Sequence, residues 1–211
     1  MFISICGVEG AGKTTQIRRI ADFLKSTGLK FVMTREPGGT EIGMKIRRIL
    51  LDPKNLNLTP KAELFLYAAD RTQHIEQLIL PALNEGKIVV TDRFVDSTTV
   101  YQGYARGIDL ELVEKINELV LNGLKPDFTI LLDISPAVGL ARVKDQLQFG
   151  ERVESESRFE QEELFFHEKI RQGFLALAQK ETNRFHVIDA DRDPDEVTKD
   201  VIRILKTALD L

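Results

Sequence analysis

The sequence predicts an α/β fold: a five-stranded parallel sheet flanked by helices, in one domain over residues 1–211, with a short mobile lid near residues 148–158. Three observations predict it. Short apolar runs that fit buried strands alternate along the chain with stretches of helical periodicity. That alternation implies a parallel sheet covered on both faces by right-handed crossovers. The stretch Gly7-Val8-Glu9-Gly10-Ala11-Gly12-Lys13-Thr14 has the form G-x-x-x-x-G-K-T and lies between an apolar run and a helical pattern. Strand, glycine turn and helix form the context this phosphate-binding loop requires. Finally, 211 residues with 43% hydrophobic and 29% charged side chains suit one globular domain with a real core.

Each element follows from local pattern. Phe2 to Cys6 reads as the first strand, and Ile17, Ile20, Ala21 and Leu24 recur at helical spacing up to Gly28, a C-terminal stop. Lys30 to Arg35 is a second strand, ended by Pro37-Gly38-Gly39; a helix follows with Ile42, Ile46, Ile49 and Leu50 on its apolar side. After a loop over Asp52 to Leu58, Thr59 reads as an N-cap with Pro60 at the first helical position. The helix it opens carries Leu64, Tyr67, Ala68, Arg71, Ile75 and Leu78, and Pro81 should kink or end it. Lys87 to Asp92 fits a central parallel strand, ending in Asp92-Arg93 at the edge where open α/β sheets bind ligands. Asp109 to Leu121 is an amphipathic helix closed by Asn122-Gly123, and Phe128 to Asp133 is a fourth strand. Ser135 and Pro136 start a further helix. Between Gln148 and Arg158 periodicity gives way to charge; a helix then runs from about Phe159 to Lys180, a fifth strand from Arg184 to Asp189, and a closing helix from Pro194 to Leu209.

Composition bounds the function. A net charge of −4 argues against a nucleic-acid partner, although local arginine clusters can hold small phosphorylated ligands. The single Cys6 excludes an internal disulfide and reads as a buried strand residue rather than a reactive thiol. No apolar run approaches membrane-spanning length, and the first strand leaves no room for an N-terminal address, so a cytoplasmic protein is expected. In the phosphate loop, the glycines let successive N–H groups face one anion, and the helix N-terminus adds partial positive charge. Gly7, Val8, Glu9, Gly10, Ala11, Gly12, Lys13, Thr14 and Thr15 form the expected ATP cradle, with Lys13 at the terminal phosphates and Thr14 on magnesium. His74, His167 and His186 show no metal-ligand spacing and read as surface or satisfied core positions. Loop and fold alone leave open a kinase, a GTPase or an ATP-driven motor; no N-K-x-D guanine-reading stretch is present.

Further stretches decide among these. Thr34-Arg35-Glu36-Pro37-Gly38-Gly39-Thr40, Ala68-Ala69-Asp70-Arg71, Asp92-Arg93-Phe94-Val95-Asp96-Ser97, Tyr101-Gln102-Gly103 and Arg158-Phe159-Glu160 with Phe166-His167 together resemble the thymidylate kinases. The resemblance runs from the phosphate loop to Ile188-Asp189-Ala190, nearly the whole chain. It implies transfer of the ATP γ-phosphate to dTMP with Mg2+, in a homodimer. A kinase for another monophosphate or deoxynucleoside, and a nucleotide-gated switch, are the alternatives; a switch has no need of a second nucleotide site.

The resemblance also implies roles. Arg47 and Arg93 would grip the acceptor phosphate, which a planar guanidinium meets at two points. Tyr67, standing where the family usually has phenylalanine, would stack on thymine, and Arg71 one turn later would bond a base carbonyl. Thr98 and Gln102 would read the polar base edge, Tyr101 would crowd the 2′ position, and Glu9 would lie near the 3′-hydroxyl, with Glu36 also placed at the acceptor. Asp92 would position magnesium through water or orient its neighbours. Arg142 would lie along adenine, or else be an exposed helix arginine. Gly10 stands where one branch of the family carries an arginine, so the catalytic cations are expected from the lid, as Arg158 and Arg152. The competing reading pairs these two with Glu151, Glu154, Glu156 and Glu160.

Overall fold

The structure is a computed structural model that describes residues 1–148 and 157–211. Five strands, β1 (Phe2–Cys6), β2 (Phe31–Arg35), β3 (Ile88–Asp92), β4 (Phe128–Asp133) and β5 (Phe185–Asp189), pair in parallel in the order β2-β3-β1-β4-β5. β1 is buried along its whole length, as its unbroken apolar sequence requires for a central strand. Around the sheet lie α1 (Lys13–Thr27), α2 (Glu41–Leu51), α3 (Pro60–His74), α4 (Leu80–Asn84), α5 (Val95–Thr98), α6 (Leu110–Leu121), α7 (Pro136–Gln148), α8 (Leu164–Lys180) and α9 (Pro194–Ala208). The main core joins β1, β4 and β5 to α1, α8 and α9, and a second cluster centres on Phe2, Ile79, Val89 and Phe94.

The punctuation acts as its chemistry dictates. Gly28 ends α1 with φ 72°, and Asn122 ends α6 with φ 44°, both left-handed. Thr59 caps α3 by accepting the Ala62 N–H at 3.4 Å, with Pro60 behind it. Cys6 is fully buried, and burial pushes its thiol well up, which keeps it protonated and inert.

The helix through Pro81 ends nearby, as expected: a π turn over Ile75–Ile79 precedes the proline, with the Leu80 N–H bonded to the Ile75 carbonyl, and α4 stops at Asn84. The wider turn moves the ladder out of register where proline has no donor to give. Three expectations are corrected. Ile42 and Ile49 do not face the core; they are 49% and 46% exposed. α2 instead packs on Gly43, so close to α3 that a Cβ there would meet Asp70 Oδ1, and this turns both isoleucines outward. Phe159 does not open α8. Phe159–Gln161 is a 3-10 turn, and α8 starts at Leu164. Residues 95–105, given no element by sequence, form α5 and a π-helical segment, Thr99–Ala105. Its β-branched residues and Gly103 hide any helical signal.

Candidate active site

The carboxyl ends of the strands open into one cavity of about 920 Å³, near the upper end of small-molecule pockets (~300–1,000 Å³). One end is the phosphate loop. Gly10 and Gly12 have φ of 72° and 87°, conformations that glycine adopts without strain. Gly10 also rests on the backbone of Gly139 in α7, so no side chain fits at that position. α1 begins with no acidic residue in its first turn, which leaves the positive end of its dipole unopposed. Lys13 Nζ donates to the carbonyls of Gly7 and Val8 at 3.1 and 2.7 Å. Glu9, Gly10, Gly12, Lys13, Thr14 and Thr15 line the cavity, whereas Gly7, Val8 and Ala11 shape the loop from behind.

The other end is built from side chains, and three buried carboxylates organise it. Glu9 accepts Arg93 Nη2 at 3.0 Å and the Tyr101 hydroxyl at 2.5 Å on one oxygen, and His167 Nδ1 at 3.2 Å on the other. Burial opposes its charge, but the His167 hydrogen bond and the charges of Arg93 and Lys13 hold its carboxyl well below the usual range. Glu36 accepts Arg71 Nε at 2.8 Å and His74 Nδ1 at 2.9 Å; His74 Nε2 lies 2.7 Å from Thr34 Oγ1. Glu63 accepts Gln102 Nε2 at 2.8 Å, Arg106 Nε at 3.2 Å and Arg158 Nη2 at 2.5 Å.

Around these anchors stand the predicted acceptor residues. Glu36, Arg47, Tyr67, Arg71, Arg93, Thr98, Tyr101 and Gln102 all line the cavity, as does Asp92, expected at magnesium. Tyr67 and Arg71, one turn apart on α3, share the cavity face, and burial with the Glu63 charge pushes the Tyr67 phenol up, so it stays neutral. Arg47 Nη1 donates to the Pro37 carbonyl at 2.9 Å. The segment after β3 divides its labour by residue. Asp92 and Arg93 face the cavity, Phe94 packs edge-on against Phe2 at 4.9 Å, and Asp96 binds Arg184 and Thr129. Arg93 holds this switch at φ 67°, a strain of ~1–2 kcal/mol for a residue with a Cβ, and its guanidinium carbon lies 5.0 Å from the Tyr101 ring centre. Asp92 Oδ1, Arg93 Nη1, Ser97 Oγ and Thr98 Oγ1 are buried without hydrogen-bond partners among the described residues. Four such atoms on one cavity wall would each cost stability unless a ligand or ordered water satisfied them.

Two predicted positions lie elsewhere. Arg142 does not line the cavity; it donates to the Ala190 carbonyl and pairs with Asp191, both at 3.3 Å. Arg158, expected at the transferred phosphoryl group, is buried away from the cavity, its Nε bonded to the Leu50 carbonyl and its Nη2 to Glu63. Arg152 lies outside the described residues.

Sequence reasoning missed several contributors. Arg18 and Arg35 also line the cavity. Arg18 lies one turn beyond Thr14 and Thr15 on α1, a register that could have revealed it. Glu63 gave no signal, because an acid in the first turn of a helix has an ordinary electrostatic reason to be there. His167 and His74 proved to be core histidines, as expected, but each grips a cavity carboxylate.

A parallel sheet in this order, a glycine loop feeding a helix N-terminus, and an arginine-lined pocket beside it define a P-loop protein with a second ligand site. The family model for thymidylate kinase matches residues 5–201. The chain is 51% identical to the thymidylate kinase of Desulfosudis oleivorans, over 100% of this chain and 99% of that protein. It is 54% identical to that of Desulforapulum autotrophicum, over 96% and 89%. The crystal structure of thymidylate kinase from Ehrlichia chaffeensis superposes with a TM-score of 0.77 at 34% identity, covering 98% of each chain. The chain belongs to the thymidylate kinase family.

Proposed function

We propose that the protein transfers the γ-phosphoryl group of ATP to dTMP, giving ADP and dTDP for dTTP synthesis. The observation that carries this reading is the continuity of one cavity from the phosphate loop to Tyr67, Arg71, Thr98 and Gln102. Triphosphate and acceptor can then meet without water between them. No protein nucleophile is needed, since the acceptor phosphate attacks in line and the protein supplies position and charge. Lys13 and the loop N–H groups hold the donor phosphates. Arg47 and Arg93 hold the acceptor phosphate, and Arg93 keeps one guanidinium nitrogen for it while Glu9 fixes the other. Tyr67 and Arg71 take the base by its face and its carbonyl, and Tyr101, tied to Glu9, stands against the sugar.

Thr14 and Asp92 fit a magnesium ion, which takes one or two protein oxygens and fills its shell with phosphates and water. The Thr14 hydroxyl starts α1 at the cavity, and the buried Asp92 Oδ1 has no partner among the described residues. When bound, the ion offsets phosphate charge. Arg152 remains the proposed lid cation, and Arg158 serves there only if it leaves Glu63.

A homodimer and a cytoplasmic setting belong to the same proposal. Ile42 on α2, Phe65 on α3 and Leu119 on α6 are exposed apolar residues on helices that pack side by side, and they favour a second copy as their cover. Both substrates are soluble nucleotides, and among the described residues no helix is long and apolar enough to cross a membrane.

The test is a coupled assay with ATP and each monophosphate. It should show dTMP preferred, with dUMP behind by only ~1–3 kcal/mol, one methyl group's worth in an apolar pocket. Faster turnover of dGMP or AMP than of dTMP would overturn the assignment. The same preparation, run in a sedimentation experiment, should carry the mass of two 23.9 kDa chains rather than one.

A further inference from the structure

We infer that Glu63 is a positioning residue that fixes which end of the Gln102 amide faces the acceptor base, and so sets the choice between keto- and amino-pyrimidine monophosphates. This rests on the acceptor site proposed above.

Glu63 lies in the first turn of α3 with no exposure to solvent. Its Oε1 accepts Gln102 Nε2 at 2.8 Å and Arg106 Nε at 3.2 Å; its Oε2 accepts Arg158 Nη2 at 2.5 Å and Arg106 Nη2 at 3.3 Å. Three side chains from two separate parts of the chain thus converge on one buried carboxylate. Facing two guanidiniums, it acts as an acceptor only. A Gln102 amide turned end for end would press its oxygen against Glu63 in a buried space, two acceptors with no proton between them. The nitrogen is therefore committed to Glu63, and Oε1 is the polar atom that Gln102 keeps for the cavity it lines.

Base chemistry gives this polarity its consequence. Thymine offers an acceptor at O4 and a donor at N3, whereas cytosine offers a donor at N4 and an acceptor at N3. A guanidinium donor at Arg71 with an amide acceptor at Gln102 matches the first pattern and opposes the second at both points. Glu63 is not among the residues that line the cavity, yet it removes the freedom by which Gln102 could serve either base. Its charge is balanced by Arg106, which lies over the Phe166 ring at 4.6 Å, and by Arg158.

The experiment measures kcat/KM for dTMP and dCMP in the full-length protein carrying Glu63→Gln, in Gln102→Leu and in the double variant. An amide at position 63 can offer either a donor or an acceptor, so the dTMP:dCMP preference should fall by ~10-fold or more. In the Gln102→Leu background the same change should leave the ratio unmoved. Glu63→Asp, which keeps the acceptor-only charge, should retain most of the preference. If Glu63→Gln is insoluble, Glu63→Gln with Arg106→Met restores charge balance and should show the same fall in ratio. An unchanged ratio in either soluble variant, with both substrates slowed alike, makes Glu63 a packing residue and overturns the inference. Wild-type preference for dCMP or a purine monophosphate would instead bring down the acceptor assignment, and this inference with it.

Discussion

The two ends of the cavity are made of different material. The donor end is backbone: glycines at positive φ, the N-terminus of α1, and a lysine folded over its own loop carbonyls. The acceptor end is side chain: Arg93, Arg71 and Gln102, each held by a separate buried carboxylate, Glu9, Glu36 and Glu63. A phosphate group is the same in every nucleotide, so nine consecutive residues suffice to cradle it. A particular base and sugar need donors and acceptors aimed from several directions, and the fold gathers them from segments far apart in the chain. Long side chains such as arginine lose considerable rotamer freedom when fixed. Their carboxylate partners fix them before any ligand arrives, which is where preorganisation adds affinity.

The largest expected effect is at the donor end. Lys13→Ala should lower turnover by ~10²–10³-fold, the usual loss when one charge-stabilising donor is removed. Lys13 folds over the loop carbonyls at the donor end, so calorimetry should find dTMP affinity nearly unchanged. A folded variant with near-normal turnover would show the loop to be structural.

The same division explains what could be read from the sequence. The phosphate loop was legible because its spacing is contiguous and its glycines have one backbone reason to be there. All five strands and the caps at Thr59, Gly28 and Asn122 were legible for the same local reasons. Tyr67 and Arg71 could be paired because they share a helix. Glu63 could not be joined to Gln102 and Arg158, which lie 39 and 95 residues away. Nor could sequence show that Arg158 is committed to that carboxylate, since an arginine in a charged stretch reads the same whether free or buried. The outward turn of Ile42 and Ile49 depended on how closely α2 meets α3 at Gly43, a tertiary distance that periodicity does not encode.

Another expected effect concerns the cost of crowding carboxylates at the acceptor end. Burial and the charge of Glu36 push the Asp70 carboxyl up to about 6 from 3.8, and its Oδ2 has no partner among the described residues. A folded-state value above the unfolded one makes ionisation destabilising. The penalty is absent below about pH 3.8, grows toward pH 6 and is full above it. Asp70→Asn keeps an oxygen for the Gly38 N–H, which Asp70 Oδ1 accepts at 3.0 Å, and removes the charge. It should raise stability above pH 6 by up to ~3 kcal/mol and change little near pH 4. Denaturant melts across that range check it; a variant less stable at pH 7 than at pH 4, relative to the parent, would contradict the sign.

Buried carboxylates hold the acceptor end in place, and Glu36, which unlike Glu9 lies outside the phosphate loop, is the anchor whose loss should weaken dTMP alone. Glu36 is 4% exposed and grips Arg71 and His74. Calorimetric titration of dTMP and of ATP into the Glu36→Gln protein measures both ends in one variant. The dTMP affinity should fall by ~10–100-fold, the worth of a hydrogen bond to a charged group, with ATP affinity held. Equal losses for both nucleotides, or a dTMP affinity that does not move, would contradict it.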